Sequence, residues 1–383
     1  MQQHAASGAR LRARQLGLAL EGTPGPHNAI TDVPGVEVGY ETVVHLAQTP
    51  GERQICSGVT AVLPRGRQPL PLPVWAGQFD FNGNGEMTGC HWIDDAGYFI
   101  GPICLTNTHA VGAAHQAAVR FMIETYADHF SRLHAWAMPV VAETYDGLVN
   151  DICGQHVTER HALAALHAAC SGPIAEGNVG GGAGMATYEF KGGTGTSSRR
   201  FEIAGHPYTL GVLVQSNFGK RSELTVLGVP VGRHLSGNAI WSELGLTDLG
   251  SIIVLIATDV PLTPVQLRRL ARRGALGVGR TGTSGGHYSG DLMLAFSVAN
   301  PVYMPGVGER QPRTFTHEWL NDAHCEQVYP EAVAAVEEAI LNALLAARSV
   351  PTYKPPGRVL DAIDPGRLME LMQRYNRLPR GTA

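Results

Sequence analysis

The sequence predicts an α/β fold, and three stretches carry that prediction. Residues Ser251 to Ala257 hold a serine followed by aliphatic and β-branched side chains, which is typical of a strand buried on both faces. Tyr98 to Leu105 is a second apolar strand, and it leads into Ala110 to Tyr126, where apolar residues recur at helical spacing. Thr263-Pro264-Val-Gln266 has the threonine, proline and glutamine of a helix start. Strands and amphipathic helices therefore share the chain.

Composition limits the class of protein. The chain has 383 residues, of which 44% are hydrophobic and 16% charged, so a sizeable core can form. A net charge of -4 and a pI near 6.5 give no basic surface for nucleic acid or an anionic membrane. No apolar run reaches the length of a membrane span, and the 6 cysteines form no C-x-x-C pair. We expect a cytoplasmic protein that acts on small molecules without a metal or other cofactor.

One integrated domain is predicted over residues 1–383. The 47 glycines lie in short clusters between apolar runs and do not form a flexible linker. No block of proline, serine or like charge divides the chain, and no repeat of fixed period is visible. The first ten residues are expected to be mobile.

Gly250 and Ser251 stand at the mouth of the predicted core strand. Glycine tolerates strained backbone geometry, so the Ser251 hydroxyl could attack the carbonyl carbon of Gly250 and break the bond between them. The new chain would then begin with Ser251, whose own α-amine can act as base for its hydroxyl. Such an amine titrates at about 7.7 to 8.0, so a useful fraction is neutral at pH 7. The alternative is that Gly-Ser only ends a turn before a strand.

Polar side chains follow two other predicted strands. The strand Trp136 to Ala142 delivers the run Glu143-Thr-Tyr-Asp146 to its C-terminal end, where side chains are rigidly held and open to a cleft. The strand Thr209 to Gln215 leads in the same way to Asn217, whose neutral amide would be a good oxyanion donor. Surface, cap or turn roles remain the alternative for both sets.

Glycine-dense stretches separate these strands. Gly177 to Gly184 does not have the G-x-G-x-x-G spacing, so close backbone approach is a better use for it than phosphate binding. Phe79 to Gly89 is predicted to be a loop, and its acidic spacing does not fit calcium. The polar loop that starts at Gly279 opens into another strand, where Ser289 and Asp291 would project to one side and could hold an α-ammonium.

Taken jointly, six motifs point to one family. In chain order they are Gly22-Thr-Pro-Gly-Pro with Asn28-Ala-Ile-Thr-Asp-Val, Glu143-Thr-Tyr-Asp-Gly, Gly181-Gly-Ala-Gly with Gly195-Thr-Ser-Ser-Arg, Asn217-Phe-Gly, Gly250-Ser251 and Ser289-Gly-Asp291. Over nearly the whole chain, this set resembles the L-aminopeptidase/D-alanyl esterase-amidase and β-aminopeptidase family of self-processing serine aminopeptidases.

The resemblance implies a fold and a maturation step. The fold is a four-layer α-β-β-α sandwich similar to that of N-terminal nucleophile hydrolases, with a different strand connectivity. The precursor is expected to cut itself before Ser251 into an α-chain of residues 1–250 and a β-chain of residues 251–383. The two chains stay together, and four such heterodimers form a homotetramer. Expected substrates are small peptides, amides or esters with a free amino terminus, from which a β-amino, D-alanyl or small L-residue is released.

The resemblance also implies roles for the residues that match. Ser251 is the expected nucleophile and its α-amine the base, while Ser289 and Asp291 order that amine. Some relatives carry glutamate where this chain has Asp291, so the partner of the amine can differ by one methylene. The acyl-enzyme would be resolved by water or by another amine, which makes aminoacyl transfer accessible beside hydrolysis.

Three further residues complete the expected site. Asn217 is the expected oxyanion donor together with a backbone N–H, Tyr145 lines the same pocket, and Glu143 binds the N-terminal ammonium of the substrate. Two alternatives stay open at this point. One is an acetyltransferase of the ornithine acetyltransferase-like branch, which uses threonine where this chain has Ser251. The other is an inactive binding protein in which the glycine clusters only pack.

Overall fold

The computed structural model describes residues 11–49, 52–245 and 250–378. The strands are β1 (Glu37–His45), β2 (Ile55–Leu63), β3 (Val74–Gly83), β4 (Tyr98–Phe99), β5 (Ile103–Asn107), β6 (Val140–Thr144), β7 (Ala186–Thr187), β8 (Phe190–Lys191), β9 (Gly193–Ile203), β10 (His206–Asn217), β11 (Ser251–Thr258), β12 (Gly290–Ser297), β13 (Val350–Pro351) and β14 (Val359–Leu360). The α-helices are α1 (Cys90–Ala96), α2 (Val111–Thr125), α3 (Ala127–Arg132), α4 (Glu159–His167), α5 (Val231–His234), α6 (Ile240–Glu243), α7 (Pro264–Arg280), α8 (Tyr329–Ala346) and α9 (Pro365–Arg374). The N-terminal residues expected to be mobile and residues 246–249 lie outside these ranges.

Two β-sheets form the centre of the fold. The smaller sheet has four strands in the order β1-β2-β5-β6, and the larger has six in the order β4-β3-β12-β11-β10-β9. Neighbouring strands run antiparallel in most of both sheets, but β5 is parallel to β6 and β11 is parallel to β12. The strand that begins with Ser251 is therefore central in the larger sheet, with β10 on one side and β12 on the other.

Strand β11 is buried on both faces, as the sequence predicts. Ile252, Val254 and Ile256 pack in the core that the larger sheet shares with helices α7 and α8. Ile253 and Leu255 alternate with them and pack in the core between the two sheets. All five side chains are fully buried. Alternation of side chains along a strand thus lets one short run contribute to two separate cores.

Helices cover the outer face of each sheet. Helices α7 and α8 pack against the larger sheet, while α2 and α4 pack against the smaller one. A methyl group on Gly195 of β9 would overlap the carbonyl oxygen of Ala339 in α8, so glycine permits close packing there. The layers run helix, sheet, sheet, helix, which confirms the predicted four-layer α-β-β-α sandwich. Among the described helices, none has both the length and the apolar composition needed to cross a lipid bilayer.

Several element boundaries differ from the sequence prediction. The predicted loop from residue 79 is wrong for its first part, because β3 continues to Gly83 and pairs there with β12. The single strand predicted at 98–105 is two strands, since Pro102 has no N–H to donate between β4 and β5. Strand β6 runs from Val140 to Thr144 instead of from Trp136 to Ala142, so Glu143 lies inside the strand and not after it.

Candidate active site

Ser251 lies at the end of the larger sheet where three strands meet. It is paired with Asn217, the last residue of β10, and with Gly290, the first residue of β12. Its hydroxyl oxygen accepts a hydrogen bond from the backbone N–H of Gly290 at 3.1 Å, and the residue is 5% exposed. The predicted nucleophile is therefore nearly buried at a strand end, and a backbone donor holds its oxygen.

Asn217 connects the two sheets at this end. Its Nδ2 donates to the backbone oxygen of Tyr145, which directly follows β6, at 2.9 Å. Its Oδ1 accepts from the backbone N–H of Ala186 at 2.7 Å. A side-chain amide has two N–H donors, so Tyr145 uses one and a developing oxyanion could use the other. Tyr145 itself is 41% exposed.

Ser289 and Asp291 form a hydrogen-bonded pair at the start of β12. The Ser289 hydroxyl donates to Oδ1 of Asp291 at 2.6 Å, and both residues are buried. Such a short bond to an ionised acceptor is among the stronger hydrogen bonds in proteins. Because Gly290 between them contacts Ser251, the pair flanks the predicted nucleophile. The prediction that the two side chains project to the same side is confirmed.

Glu143 reaches the site from the smaller sheet. Its Oε1 accepts from the backbone N–H of Glu86 at 3.0 Å, and its Oε2 accepts from the hydroxyl of Thr108. The residue is 4% exposed, and burial raises the pKa of its carboxyl, although the two hydrogen bonds oppose that rise. A buried carboxylate of this kind gains from a cation placed against it, so it suits a substrate ammonium.

Gly85 shows how close Glu143 lies to the other site residues. A methyl group on Gly85 would lie 3.2 Å from Oε1 of Glu143 and 3.5 Å from the Cα of Gly290. Gly290 in turn contacts the hydroxyl of Ser251. The structure therefore brings the residues of both sheets together around one short, glycine-containing segment.

Gly250 occupies a place that admits no side chain. A methyl group there would overlap the backbone oxygen of Asn217 and lie 2.7 Å from the Cα of Phe218. The backbone ahead of Ser251 thus runs directly against the end of β10. The structural reason for glycine at this position is close packing, whereas the sequence suggests tolerance of backbone strain. The residues Thr247-Asp-Leu249 that precede it lie outside the described part of the chain.

A buried lysine supports the segment that holds Asn217. The ammonium of Lys191 donates to the carbonyl oxygens of Met185 at 2.9 Å and Gly192 at 2.8 Å. Burial lowers the pKa of Lys191 to about 8. Met185 precedes Ala186, whose N–H donates to Asn217. The lysine therefore fixes the backbone that orients the candidate oxyanion donor.

Comparison with known proteins of similar sequence and structure identifies the family of this chain. The model of peptidase family S58 matches residues 28–356. The chain belongs to peptidase family S58. It is 44% identical to the beta-peptidyl aminopeptidase BapA of Sphingosinicella microcystinivorans over 98% of this chain and 95% of that protein. It is also 44% identical to the protein of that name from Sphingosinicella xenopeptidilytica, over 88% and 86% of the two chains.

Solved structures agree with this S58 membership. The L-aminopeptidase D-Ala-esterase/amidase of Ochrobactrum anthropi, described as a new variant of the Ntn hydrolase fold, superposes with a TM-score of 0.90 at 50% identity, covering 96% of this chain and 99% of that one. A Burkholderia sp. beta-aminopeptidase superposes with a TM-score of 0.86 at 42% identity, covering 96% and 100%. The chain is therefore an enzyme, a hydrolase with aminopeptidase function.

Several groups at this S58 site are not evident from sequence reasoning. Asn107 caps the short 3-10 helix that follows β5, and the hydroxyl of Thr108 donates to Glu143. Asn82 lies in the predicted loop, because Asn-Gly is normally a turn signal, yet it contacts Asp291. Across the described ranges, no three His, Cys, Asp or Glu side chains are grouped as metal ligands.

Proposed function

We propose that this S58 enzyme is a self-cleaving N-terminal-serine aminopeptidase, cut between Gly250 and Ser251 within one integrated domain of residues 1–383. One observation carries the proposal. Ser251 begins a central strand beside Asn217 and Gly290, and its hydroxyl lies next to the only kind of residue, glycine, that fits the preceding position. A nucleophile, a scissile carbonyl and hydrogen-bond donors thus occur within one strand end.

The cleavage step follows from this arrangement. The Ser251 hydroxyl attacks the carbonyl carbon of Gly250, the C–N bond breaks and its nitrogen takes up the proton, leaving an ester between the two residues. Water then hydrolyses the ester, giving a carboxyl group on Gly250 and a free α-amine on Ser251. The Gly290 N–H, which donates to the Ser251 hydroxyl in the uncut chain, is the proposed backbone donor for the oxyanion.

Turnover uses the same groups. The α-amine of Ser251 removes the proton from its own hydroxyl, which attacks the first carbonyl of the substrate. Asn217 and a backbone N–H stabilise the oxyanion, and the amine passes the proton to the leaving group. Ser289 and Asp291 hold the amine, and the acyl-enzyme is released by water or transferred to another amine. Removing one oxyanion donor from such a site costs about 10² to 10³ in kcat.

Glu143 is the proposed contact for the free amino terminus of the substrate, and Tyr145 lines the entrance. A buried carboxylate with two fixed donors keeps its position before substrate arrives, so the ammonium meets a preorganised acceptor. The relatives named as beta-peptidyl aminopeptidase and as L-aminopeptidase D-Ala-esterase/amidase support β-amino acids, D-alanine or small L-residues as the groups released. We further propose a cytoplasmic homotetramer of α/β-chain heterodimers, in keeping with the sequence resemblance.

Intact-mass analysis tests the proposal. Wild-type protein is expected to give two chains that meet between residues 250 and 251, and Ser251→Ala is expected to stay one chain without activity on aminoacyl anilides. Ser297→Ala is a matched control, since Ser297 is also a buried serine of the same sheet, whose hydroxyl donates to Val260 far from the site. It is expected to be cut and active.

One result would remove the mechanism. If the wild-type polypeptide remains whole while it hydrolyses the anilides at full rate, Ser251 has no free amine and cannot act as its own base. Transfer of acetyl groups without hydrolysis of the anilides would instead favour the acetyltransferase alternative. A panel of β-, D- and L-aminoacyl anilides then determines which first residue is preferred.

A further inference from the structure

A β-bulge turns the end of strand β3 towards the active site. Asn82 is paired with Asp291 and Asp80 with Leu292, so Phe81 is an extra residue on the β3 side. Bulges of this kind occur often beside active sites, where they redirect a side chain. Phe81 is 50% exposed, and its ring covers Gly285 in the loop that precedes β12. The bulge thus lets the neighbouring Asn82 face the candidate site.

The Asn82 amide makes two contacts there. Its Nδ2 donates to Oδ2 of Asp291 at 2.9 Å and to the backbone oxygen of Gly286 at 3.1 Å. The other oxygen of Asp291, Oδ1, accepts from Ser289 at 2.6 Å. Each oxygen of the Asp291 carboxylate is therefore held by a different side chain, and these two side chains come from different segments.

We propose that Asn82 is a positioning residue for Asp291, which fixes the plane of that carboxylate and the course of the loop that carries Ser289. The inference rests on the proposed function, because it assigns Asn82 to the pair that orders the α-amine of Ser251. An amide serves this role well, since both of its donors are used and it adds no charge beside the amine. Without Asn82, Oδ2 of Asp291 would lose a donor that helps to fix the plane of the carboxylate.

The charges around the pair decide what a change at Asn82 would do. Titratable side chains on the neighbouring segments include Asp80 on β3, Glu86 after it, Glu143 on β6, and His287 and Tyr288 in the loop. The α-amine of Ser251 is the proposed basic partner of Asp291. An aspartate at position 82 would add a negative charge, which favours the ammonium form of that amine, and it would share a proton with Asp291. Both effects strengthen proton binding at the site.

The test compares Asn82→Ala and Asn82→Asp with wild type, each as the full chain after it has cut itself. Asn82→Ala is expected to lower kcat about tenfold while KM stays within about twofold, because a hydrogen bond to an ionised group that matters in the reaction is lost. Asn82→Asp keeps the size of the side chain and is expected to move the acid limb of the kcat profile to higher pH. The added charge by itself also raises the pKa of the amine, so Asn84→Asp, which places the same charge on the same segment, is expected to move the limb less than Asn82→Asp does.

Asn84→Ala is the matched control. Asn84 donates to the backbone oxygen of Tyr288 at 2.7 Å, so it ties the same loop to the same segment without touching Asp291. The acid limb of the kcat profile of Asn84→Ala is expected to stay at the wild-type pH. The proposal is overturned if the Asn82 variants keep both the wild-type kcat and the wild-type acid limb, or if Asn84→Ala moves the limb equally far.

Two further outcomes separate this inference from the proposed function. A wild-type chain that neither cuts itself nor turns over anilides refutes the proposed function, and the inference falls with it. A wild type that does both, beside Asn82 variants with unchanged kinetics, refutes the inference alone. If Asn82→Ala lowers the midpoint of thermal unfolding, the pH profile of the isosteric Asn82→Asp decides the question.

Discussion

A buried ion network should hold the proposed β-chain to the α-chain, and it gives the sharpest stability prediction. Glu338, in α8, is fully buried. Its Oε1 and Oε2 both accept a hydrogen bond from the Nε–H of Arg14, at 3.0 and 2.9 Å. Nη2 of the buried Arg199 lies 2.9 Å from Oε2, and Asn28 donates to Oε1 at 2.6 Å. All three partners precede residue 251, whereas Glu338 follows it. The network therefore spans the proposed cut.

Glu338→Gln keeps the shape of this side chain but removes its charge. Arg199 would remain buried without the carboxylate that lies 2.9 Å from it, and removing one partner of a buried ion pair costs about 3 to 5 kcal/mol. Glu337→Gln is the matched control on the same helix, because Glu337 pairs at 3.2 Å with Arg280, whose side chain is 41% exposed. A pair of that kind contributes about 0 to 1 kcal/mol.

Urea unfolding followed by circular dichroism, at one fixed salt concentration, measures the change in the free energy of unfolding for each variant. We expect the Glu338→Gln transition at clearly lower urea with a similar slope, and the Glu337→Gln transition close to wild type. Separation of the two chains of the cut Glu338→Gln protein on a sizing column would agree with the same cause. Equal loss of stability in the two variants, or a loss below about 1 kcal/mol for Glu338→Gln, would refute the reasoning.

Three further predictions concern the site and its support. Gly250→Ala should leave the chain uncut by intact-mass analysis, since its methyl group would overlap the Asn217 backbone; a fully cut variant contradicts this. Glu143→Gln should raise KM about tenfold or more for substrates with a free amine but not for N-acetylated esters. Because burial raises the pKa of Glu143, wild-type KM should rise as pH falls through that raised pKa, and the glutamine variant should lack this rise. In the folded chain burial lowers the pKa of Lys191 to about 8, so between this pH and about pH 10 the unfolded chain binds more protons than the folded one. The free energy of unfolding of the wild type should therefore rise by about 1.4 kcal/mol per pH unit over this range. Urea unfolding at several pH values should show that Lys191→Met lacks this rise.

Local pattern predicts the strands of this fold well where both faces are apolar. The run after Ser251 can only be a core strand, and the structure places it between two cores. Pattern fails at residues 79–89, because Asn and Gly favour turns locally, while pairing with β12 draws the first five of these residues into β3. Strand pairing with a distant segment has no local signature. The proposed role of Asn82 as a positioning residue could not be predicted from local sequence for the same reason.

The site shows the same division between local and distant information. Ser289 and Asp291 are two residues apart, so their common direction follows from strand geometry alone. The approach of Glu143 to this pair depends on two sheets stacking face to face, which no spacing in the sequence encodes. The support that Lys191 gives to Asn217 passes through the peptide group between Met185 and Ala186, and it has no signature in the sequence either. Family resemblance supplies such long-range pairs because it carries a whole fold with the motifs.

The parallel pairing of β11 with β12 explains why a cut before Ser251 can produce a working site. Two neighbouring parallel strands begin at the same edge of a sheet, so the first residue of one lies beside the first residue of the other. Ser251 is thereby level with Gly290, and the groups expected to order its new amine are already in place when the bond breaks. The proposed cut lies outside β11, which is paired with β10 and β12 along its whole length and would stay so. Cleavage at this edge can therefore free an amine without undoing the sheet that positions it.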